Sequence, residues 1–136
     1  MGKRIDFKRS ARAGFAAAAC LALGVLGGAG QVRAADAVSA AAAKEAQEIW
    51  GSRCFTCHGM EGKGDGPAGA ALEPKPRNFS NADWQKSVTD EHIEKIILGG
   101  GPSVGKSVLM PPNPDLATKP DVVKALRAKV RSLGGK

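Results

Sequence analysis

Residues 54–58 read Cys54-Phe55-Thr56-Cys57-His58. Two cysteines separated by two residues, with a histidine directly after the second, form the pattern for covalent attachment of a haem. The spacing has a chemical reason, since two thiols three positions apart on a helical turn can each form a thioether with one vinyl group of the same porphyrin. The next residue then places an imidazole beneath the iron. The stretch predicts that Cys54 and Cys57 hold one haem and that His58 is a ligand of its iron.

A second axial ligand would come from one of three methionines or from His92. Met1 belongs to the extreme N-terminus, and Met60 follows His58 by two residues, a reach of about 7 Å that cannot bring it to the opposite face of the porphyrin. Met110 lies far along the chain, beside prolines that favour an extended loop. Its thioether suits an iron that changes oxidation state. Met110 is the predicted distal ligand, and His92, among acidic residues of a helix, is interpreted as a solvated rival.

The N-terminal segment has the three parts of an export signal. Basic residues come first, an apolar stretch runs from 14 to 30, and small residues suited to a signal peptidase follow. We predict a signal peptide over 1–37, cut after Ala34 or Ala37, and one domain over 38–136. An uncleaved membrane anchor is the alternative, although an apolar stretch of about 17 residues is marginal for a spanning helix.

The positive charge of the chain lies mostly in this segment. The net charge is +7, from 20 Lys and Arg against 13 Asp and Glu. Six of the basic and two of the acidic residues fall within 1–37, so 14 and 11 remain. Nothing in this balance requires nucleic acid. Cleavage also removes Cys20, so the motif pair would be the remaining cysteines of a chain that matures in an oxidising compartment.

The first half of the predicted domain leads into and out of the motif. Helix-forming residues predict a helix from Ala40 to Arg53. Glycines and a proline make 59–67 a loop. Ser80 or Asn81 can cap a short helix that carries Trp84.

Two longer helices are predicted in the second half. Thr89 can cap a helix from Asp90 to Leu98, which three glycines end. Thr118 to Asp121 resembles a capping box with Pro120 in the first turn of the last helix. The apolar stripe of that helix consists of Val122, Val123, Leu126, Val130 and Leu133.

Residues Gly100 to Ser107 match the pattern of a phosphate-binding P-loop. That pattern has meaning only between a strand and a helix whose N-terminus cradles phosphate. Here three prolines follow within residues 111–114, which cannot begin such a helix. We therefore expect no nucleotide at this site and interpret the glycines as a flexible path over the haem.

Two other chemistries of paired cysteines fit less well. A structural zinc site needs four ligands, and the sequence offers the motif residues and a distant His92 without a second clustered pair. Thiol redox chemistry needs a βαβ context, which the sequence lacks. A haem stain on a denaturing gel separates these readings, because covalent haem survives the gel.

Residues 40–136 resemble a class I monohaem c-type cytochrome of the bacterial exported type. The matching pieces are the first helix into Cys54–Gly59, the Gly64-Asp-Gly-Pro67 loop, Pro74-Lys-Pro-Arg-Asn-Phe79, Leu109-Met-Pro-Pro112 and Val130-Arg-Ser-Leu-Gly-Gly135. The resemblance implies an all-α fold of four to five short helices around one covalently bound haem c. It also implies that the first and last helices cross.

The resemblance implies further roles for single residues. A proline carbonyl would accept the Nδ1–H of His58, with Pro67 as the choice and Pro74 in reserve. Relatives often carry an aromatic residue where this chain has Lys129, so Trp50 would pack on aliphatic side chains such as Leu126 or Val130 instead. Trp84 would either donate its N–H to a haem propionate or serve as a core residue.

His58 and Met110 together imply a six-coordinate iron without an open position, hence single-electron transfer rather than enzymatic catalysis. The resemblance implies a soluble periplasmic carrier that docks at the haem edge with respiratory complexes or periplasmic oxidoreductases. It would be membrane-bound only if the signal is uncleaved. The alternative is a haem-based sensor or a peroxidase-like protein with an open distal position.

Overall fold

The computed structural model describes residues 38–135, and its regular elements in that range are all helical. The all-α class predicted from the sequence is confirmed for this part of the chain. No helix in it has the length and apolar character needed to cross a membrane. The predicted signal peptide and its cleavage site lie outside the described residues and stay predictions.

The first helical segment runs from Ala40 to His58 in three parts. Helix α1 spans Ala40–Ile49, a π-helical stretch spans Trp50–Cys54, and helix α2 spans Phe55–His58. Ser39 caps α1 by accepting a hydrogen bond from the Ala42 amide at 3.2 Å. The helix was predicted, but its π-helical stretch was not. Such widened turns often mark functional sites, and this one leads directly into the haem motif.

The loop after His58 folds back onto the end of α2. The amide of Gly64 donates to the His58 carbonyl at 2.9 Å, and the amide of Ala68 donates to the Thr56 carbonyl at 2.8 Å. Carbonyl groups at a helix C-terminus lack partners within the helix, so this loop supplies them. The prediction of a loop over 59–67 is confirmed, and a short 3₁₀ turn, Gly69–Ala71, follows it.

Helices α3 and α4 begin at two of the predicted caps. Helix α3 spans Ala82–Ser87, with the Asn81 side chain accepting from the Trp84 amide at 2.7 Å. Helix α4 spans Asp90–Gly99, with the Thr89 hydroxyl accepting from the His92 amide at 3.2 Å. A 3₁₀ turn, Gly101–Val104, comes directly after α4.

Helix α5 spans Pro120–Ser132, after a 3₁₀ turn, Pro114–Thr118. Pro120 stands in its first turn as predicted, but the predicted capping box is wrong. Thr118 ends the 3₁₀ turn, and Lys119 occupies the N-cap position without a side-chain hydrogen bond. The backbone of Lys119 serves instead, because its carbonyl accepts from the amides of Val122 and Val123.

The core forms where α1 and α5 pack against each other. The predicted stripe of α5 is buried, and Leu126 and Leu133 are among the most enclosed side chains. Trp50 shares this core with Leu126 and Val130, as expected. The Lys129 ammonium also lies 5.6 Å from the centre of the Trp50 ring. A cation–π contact thus stands where the expected aromatic neighbour is missing.

Candidate functional site

A cavity of about 500 Å³ lies beside the Cys54–His58 motif. The two cysteines and the histidine line one part of its wall, and Met110 lines another. Helix α4 contributes Ile93, Ile96 and Ile97, so much of the lining is aliphatic. The structure therefore brings four predicted site residues, Cys54, Cys57, His58 and Met110, to one apolar cavity.

Both motif cysteines are free thiols and are partly buried. Burial raises the pKa of the Cys54 thiol to about 11, against a smaller opposing effect of the Arg53 charge. Cys54 is thus a neutral thiol at neutral pH, whereas redox-active cysteines have a lowered pKa and are held as thiolates.

Within residues 38–135, no cluster of three or more His, Cys, Asp or Glu side chains is arranged to hold a metal ion.

His58 is 9% exposed and ends helix α2. Its ring stacks on Phe79, with centroids 4.5 Å apart and planes inclined by 19°. Burial lowers the pKa of His58, and the backbone of Arg77 opposes this in part. Burial thus favours the neutral imidazole, the form that binds a metal.

The predicted contact between Pro67 and His58 is not present in this structure. Pro67 is exposed and does not line the cavity, because its loop runs along the end of α2. Pro74 does line the cavity, but Nδ1 of His58 is buried without a hydrogen-bond partner among the described residues. Arg77, rather than either proline, is the residue whose backbone acts on the imidazole.

The structure brings two of the candidates for a distal ligand, Met110 and His92, to the cavity and leaves Met60 away from it. Met60 is 70% exposed and does not line the cavity, whereas Met110 is partly buried on its wall. His92 also lines the cavity and is partly buried. The expectation of a solvated His92 is therefore wrong, because α4 turns this residue towards the same space as its isoleucines.

Backbone contacts hold the Met110 segment in place. The Met110 carbonyl accepts from the Gly101 amide at 3.0 Å, and the Asn113 amide donates to the Leu98 carbonyl at 2.9 Å. Gly100 has a positive φ of 68°, and a Cβ there would meet the Met110 carbonyl and lie 2.8 Å from the Pro112 nitrogen. Glycine at this position allows the end of α4 and the methionine segment to approach closely.

The P-loop-like segment has a different structure from a phosphate cradle. The 3₁₀ turn Gly101–Val104 occupies it, and no helix begins directly after Ser107, since residues 108–113 are turn or irregular. The Gly105 and Lys106 amides donate to carbonyls within the segment, those of Pro102 and Gly101. These amides are already used in the turn, so they do not point at a common anion.

Basic side chains line part of the cavity. The charged residues of the lining are Arg53, Lys75, Arg77 and Lys106, and no carboxylate is among the described residues of that lining. Trp84 also lines the cavity and packs against Phe79, with centroids 5.3 Å apart. An apolar cavity with cations on its wall suits a flat apolar group that carries carboxylates. Sequence reasoning missed these cations, because their convergence depends on the tertiary fold.

The residues present fit a covalently held haem. The thiols of Cys54 and Cys57 are available for thioether bonds, and the cavity wall offers the imidazole of His58 and the thioether of Met110 as candidate ligands. The isoleucines of α4 provide apolar surface for the porphyrin, and Lys75, Arg77 and Lys106 can pair with its propionates. No described carboxylate of the lining opposes them.

Comparison with known proteins gives a match to a family and a match to a solved structure. The family model described as Cytochrome c matches residues 43–133. A solved structure, the KustC0563 c-type cytochrome, is 30% identical in sequence, with a TM-score of 0.49, over 65% of this chain and 96% of that chain. No curated protein matches.

Proposed function

The chain belongs to the cytochrome c family and binds haem c covalently, and from this premise we propose that His58 and Met110 are the axial ligands of the haem iron in a single-electron carrier. The family supports a haem-based electron carrier in general. The bound haem supplies an iron that accepts and releases one electron. We propose which residues bind the iron, which class of partner the protein meets and where in the cell it acts.

The proposal rests on one observation, that Met110 and His58 line the same cavity. Both residues line the cavity with the two motif cysteines, while Met60 is exposed elsewhere. Met110 is held by the backbone of Gly101, so its side chain is presented from a defined loop. A sulfur ligand and burial from water both favour the reduced state of a haem iron.

Two protein ligands would leave no coordination position for oxygen or peroxide. Electron transfer then needs little rearrangement of bonds, which is the physical reason for preferring a carrier to an enzyme. The buried, neutral His58 and the soft thioether of Met110 are chemically suited to both oxidation states of the iron. Cys54 and Cys57 would fix the group covalently, so it is not lost between redox partners.

We place partner docking at the face that carries the distal segment. Lys106 lines the cavity there, and its neighbours Val108 and Leu109 are 78% and 49% exposed. Exposed apolar side chains beside positive charge suit an acidic redox partner with an apolar contact patch. The predicted export signal supports a periplasmic location, where respiratory complexes or other oxidoreductases would be the partners.

The experiment is the ferric absorption spectrum of the holoprotein with two matched methionine variants. Met–iron bonding gives a weak band at the red end of the visible spectrum. We expect this band in the wild type and in M60L, and its loss in M110L together with rapid binding of carbon monoxide. A wild type that lacks the band and binds carbon monoxide rapidly would instead indicate an open distal position, as in a sensor or peroxidase.

His92 is tested by the same spectrum. H92N should keep the band, because Met110 would remain bound. The wild type could instead lack the band and exclude carbon monoxide, with carbon monoxide binding only in H92N. That result would show that His92 is the distal ligand and that Met110 only lines the cavity.

A further inference from the structure

Phe79 makes the closest ring contact to the proposed proximal ligand. Its ring and the His58 imidazole are nearly parallel, with centroids 4.5 Å apart and an angle of 19° between planes. Phe79 is 7% exposed, so the pair is enclosed. Trp50 is farther from His58, at 6.5 Å and 35°. Phe79 is thus the aromatic residue that lies against a face of the imidazole.

The backbone of Phe79 is fixed on both sides. Its amide donates to the Gly62 carbonyl at 2.7 Å, and its carbonyl accepts from Nε2 of Gln85 at 2.8 Å. Nε2 of Gln85 also donates to the Val130 carbonyl at 3.0 Å, which ties the segment to α5. Gly62 has a positive φ of 66°, and a Cβ there would lie 2.9 Å from the Phe79 ring. The loop and α3 therefore hold the backbone of Phe79, and Gln85 links it to α5.

Gln85 is itself held by a partly buried arginine side chain. The Arg131 guanidinium donates to the Gln85 carbonyl at 2.6 Å and to its side-chain oxygen at 3.1 Å. The same guanidinium donates to Asp90 Oδ1 at 2.8 Å. The side chain that holds Phe79 is therefore fixed by a salt-bridged arginine of α5.

A metal-binding histidine is usually oriented by a hydrogen bond from its other ring nitrogen. Nδ1 of His58 is buried and makes no close hydrogen bond among residues 38–135, although the backbone of Arg77, two residues before Phe79, acts on the ring. Packing on Phe79 therefore adds a second restraint on the orientation of the imidazole. A stacked phenyl ring restricts rotation of the imidazole plane, since rotation would bring the two rings into collision.

We propose that Phe79 is a positioning residue that fixes the plane of the His58 imidazole over the haem, with Gln85 holding Phe79 in place. The inference rests on the proposed role of His58 as an axial ligand. It does not depend on whether Met110 is the distal ligand. In this role Phe79 acts through His58 and does not bind the iron itself.

The test is electron paramagnetic resonance of the ferric holoprotein, because the g values of a low-spin haem report the orientation of its axial ligand planes. We expect F79L to shift and broaden the low-field signal, because the imidazole would adopt a spread of orientations. F79Y keeps an aromatic ring of the same shape and should restore the wild-type signal.

L116A is the control for lost core packing. Leu116 is 0% exposed and does not line the cavity. Its truncation should lower thermal stability while leaving the g values unchanged. An F79L protein with wild-type g values and only a lower melting temperature would overturn the proposal, and so would equal spectral shifts in F79L and L116A.

A second variant covers the case in which F79L does not assemble. Q85L removes the hydrogen bond to the Phe79 carbonyl and keeps the stacked ring, so a smaller shift of the same sign is expected. An unchanged spectrum in Q85L would then count against the proposal. The wild-type signal separates this outcome from failure of the proposed function: a high-spin or bis-histidine signal refutes His58–Met110 ligation irrespective of the Phe79 series.

Discussion

The two walls of the cavity differ in how they hold a ligand. His58 ends a helix, is 9% exposed and lies among aromatic rings. Met110 lies in a loop whose preceding residues, Val108 and Leu109, are 78% and 49% exposed. The loop is held by backbone hydrogen bonds and by the close fit at Gly100.

Because of this difference, we expect the stability of the fold to depend on the His58 wall and the binding of a distal ligand to depend on the Met110 loop. The His58 wall shares its packing with the core formed by α1 and α5, so it persists as long as the fold does. The Met110 wall has fewer buried apolar contacts, and segments of that kind open locally at low free-energy cost. We therefore expect changes in the core to affect the whole fold and changes in the loop to affect the methionine alone.

The largest effect is expected from Leu126→Ala compared with Leu109→Ala. Leu126 is 2% exposed in the core, and removing such a side chain costs about 2–5 kcal/mol of unfolding free energy. Leu109 is half exposed beside the proposed distal ligand, and its truncation should change stability by less than about 0.5 kcal/mol. Urea unfolding of both holoproteins, followed by far-UV circular dichroism, measures the two values. Equal losses would show that the loop is part of the cooperative core.

The next effect is expected from Gly100→Ala. A Cβ at this position would meet the backbone of Met110 and Pro111, and the φ of 68° adds strain of about 1–2 kcal/mol. The expected result is loss of the Met–iron absorption band, because the segment must move away.

Gly105→Ala is the control for that variant. Gly105 has a φ of 69°, yet a Cβ there has open space around it. It should cost a similar strain of about 1 kcal/mol and keep the absorption band. If both variants keep the band, the fit at Gly100 does not position Met110.

The local features of this fold were predictable from sequence, because each depends on neighbouring residues. Asn81 and Thr89 cap α3 and α4 through contacts three residues away. The motif itself places its cysteines and histidine at fixed spacing. Such features need no knowledge of the rest of the chain.

The missed features depend on distant segments. The Thr118 cap is wrong because the chain forms a 3₁₀ turn there, ended by the backbone of Lys119. His92 faces the cavity because of how α4 packs, and Arg77 acts on His58 from a segment about twenty residues away. The order of segments in sequence does not reveal which backbone group will lie beside a given side chain. Tertiary packing decides it.

A smaller effect is expected from Lys129→Gln on the His58 side. The Lys129 ammonium lies 5.6 Å from the Trp50 ring centre, and such a contact contributes about 0.5–1 kcal/mol. The variant should lower the unfolding free energy by that amount without changing the Met–iron band. Lys129→Arg keeps a cation over the ring and should retain wild-type stability. A destabilised arginine variant would indicate that packing of the lysine stem, not its charge, is the source.

The smallest effect is expected from the ion pair that links the two walls. Arg53 directly precedes Cys54, and its guanidinium lies 2.9 Å from a carboxylate oxygen of Asp115, beyond the methionine segment. The hydrogen bond with Arg53 lowers the pKa of Asp115 below its ordinary value. A lowered pKa in the folded state gives stability that is present above the unfolded value of about 3.9 and is lost as the pH falls through the folded pKa.

Asp115→Asn should therefore be slightly less stable than the wild type at neutral pH. This difference in stability should disappear as the pH falls below the usual pKa of an aspartate. Both side chains are about half exposed, so solvent and salt weaken the pair and the gap should shrink at high ionic strength. The Arg53→Gln background provides the control, because Asp115→Asn should add little once its partner is gone. Thermal unfolding of the four proteins across acidic pH measures this coupling. If Asp115→Asn lowers stability equally in the Arg53→Gln background, the stabilisation comes from Asp115 in the first turn of its 3₁₀ segment and not from the ion pair. The two walls would then be linked through backbone contacts alone.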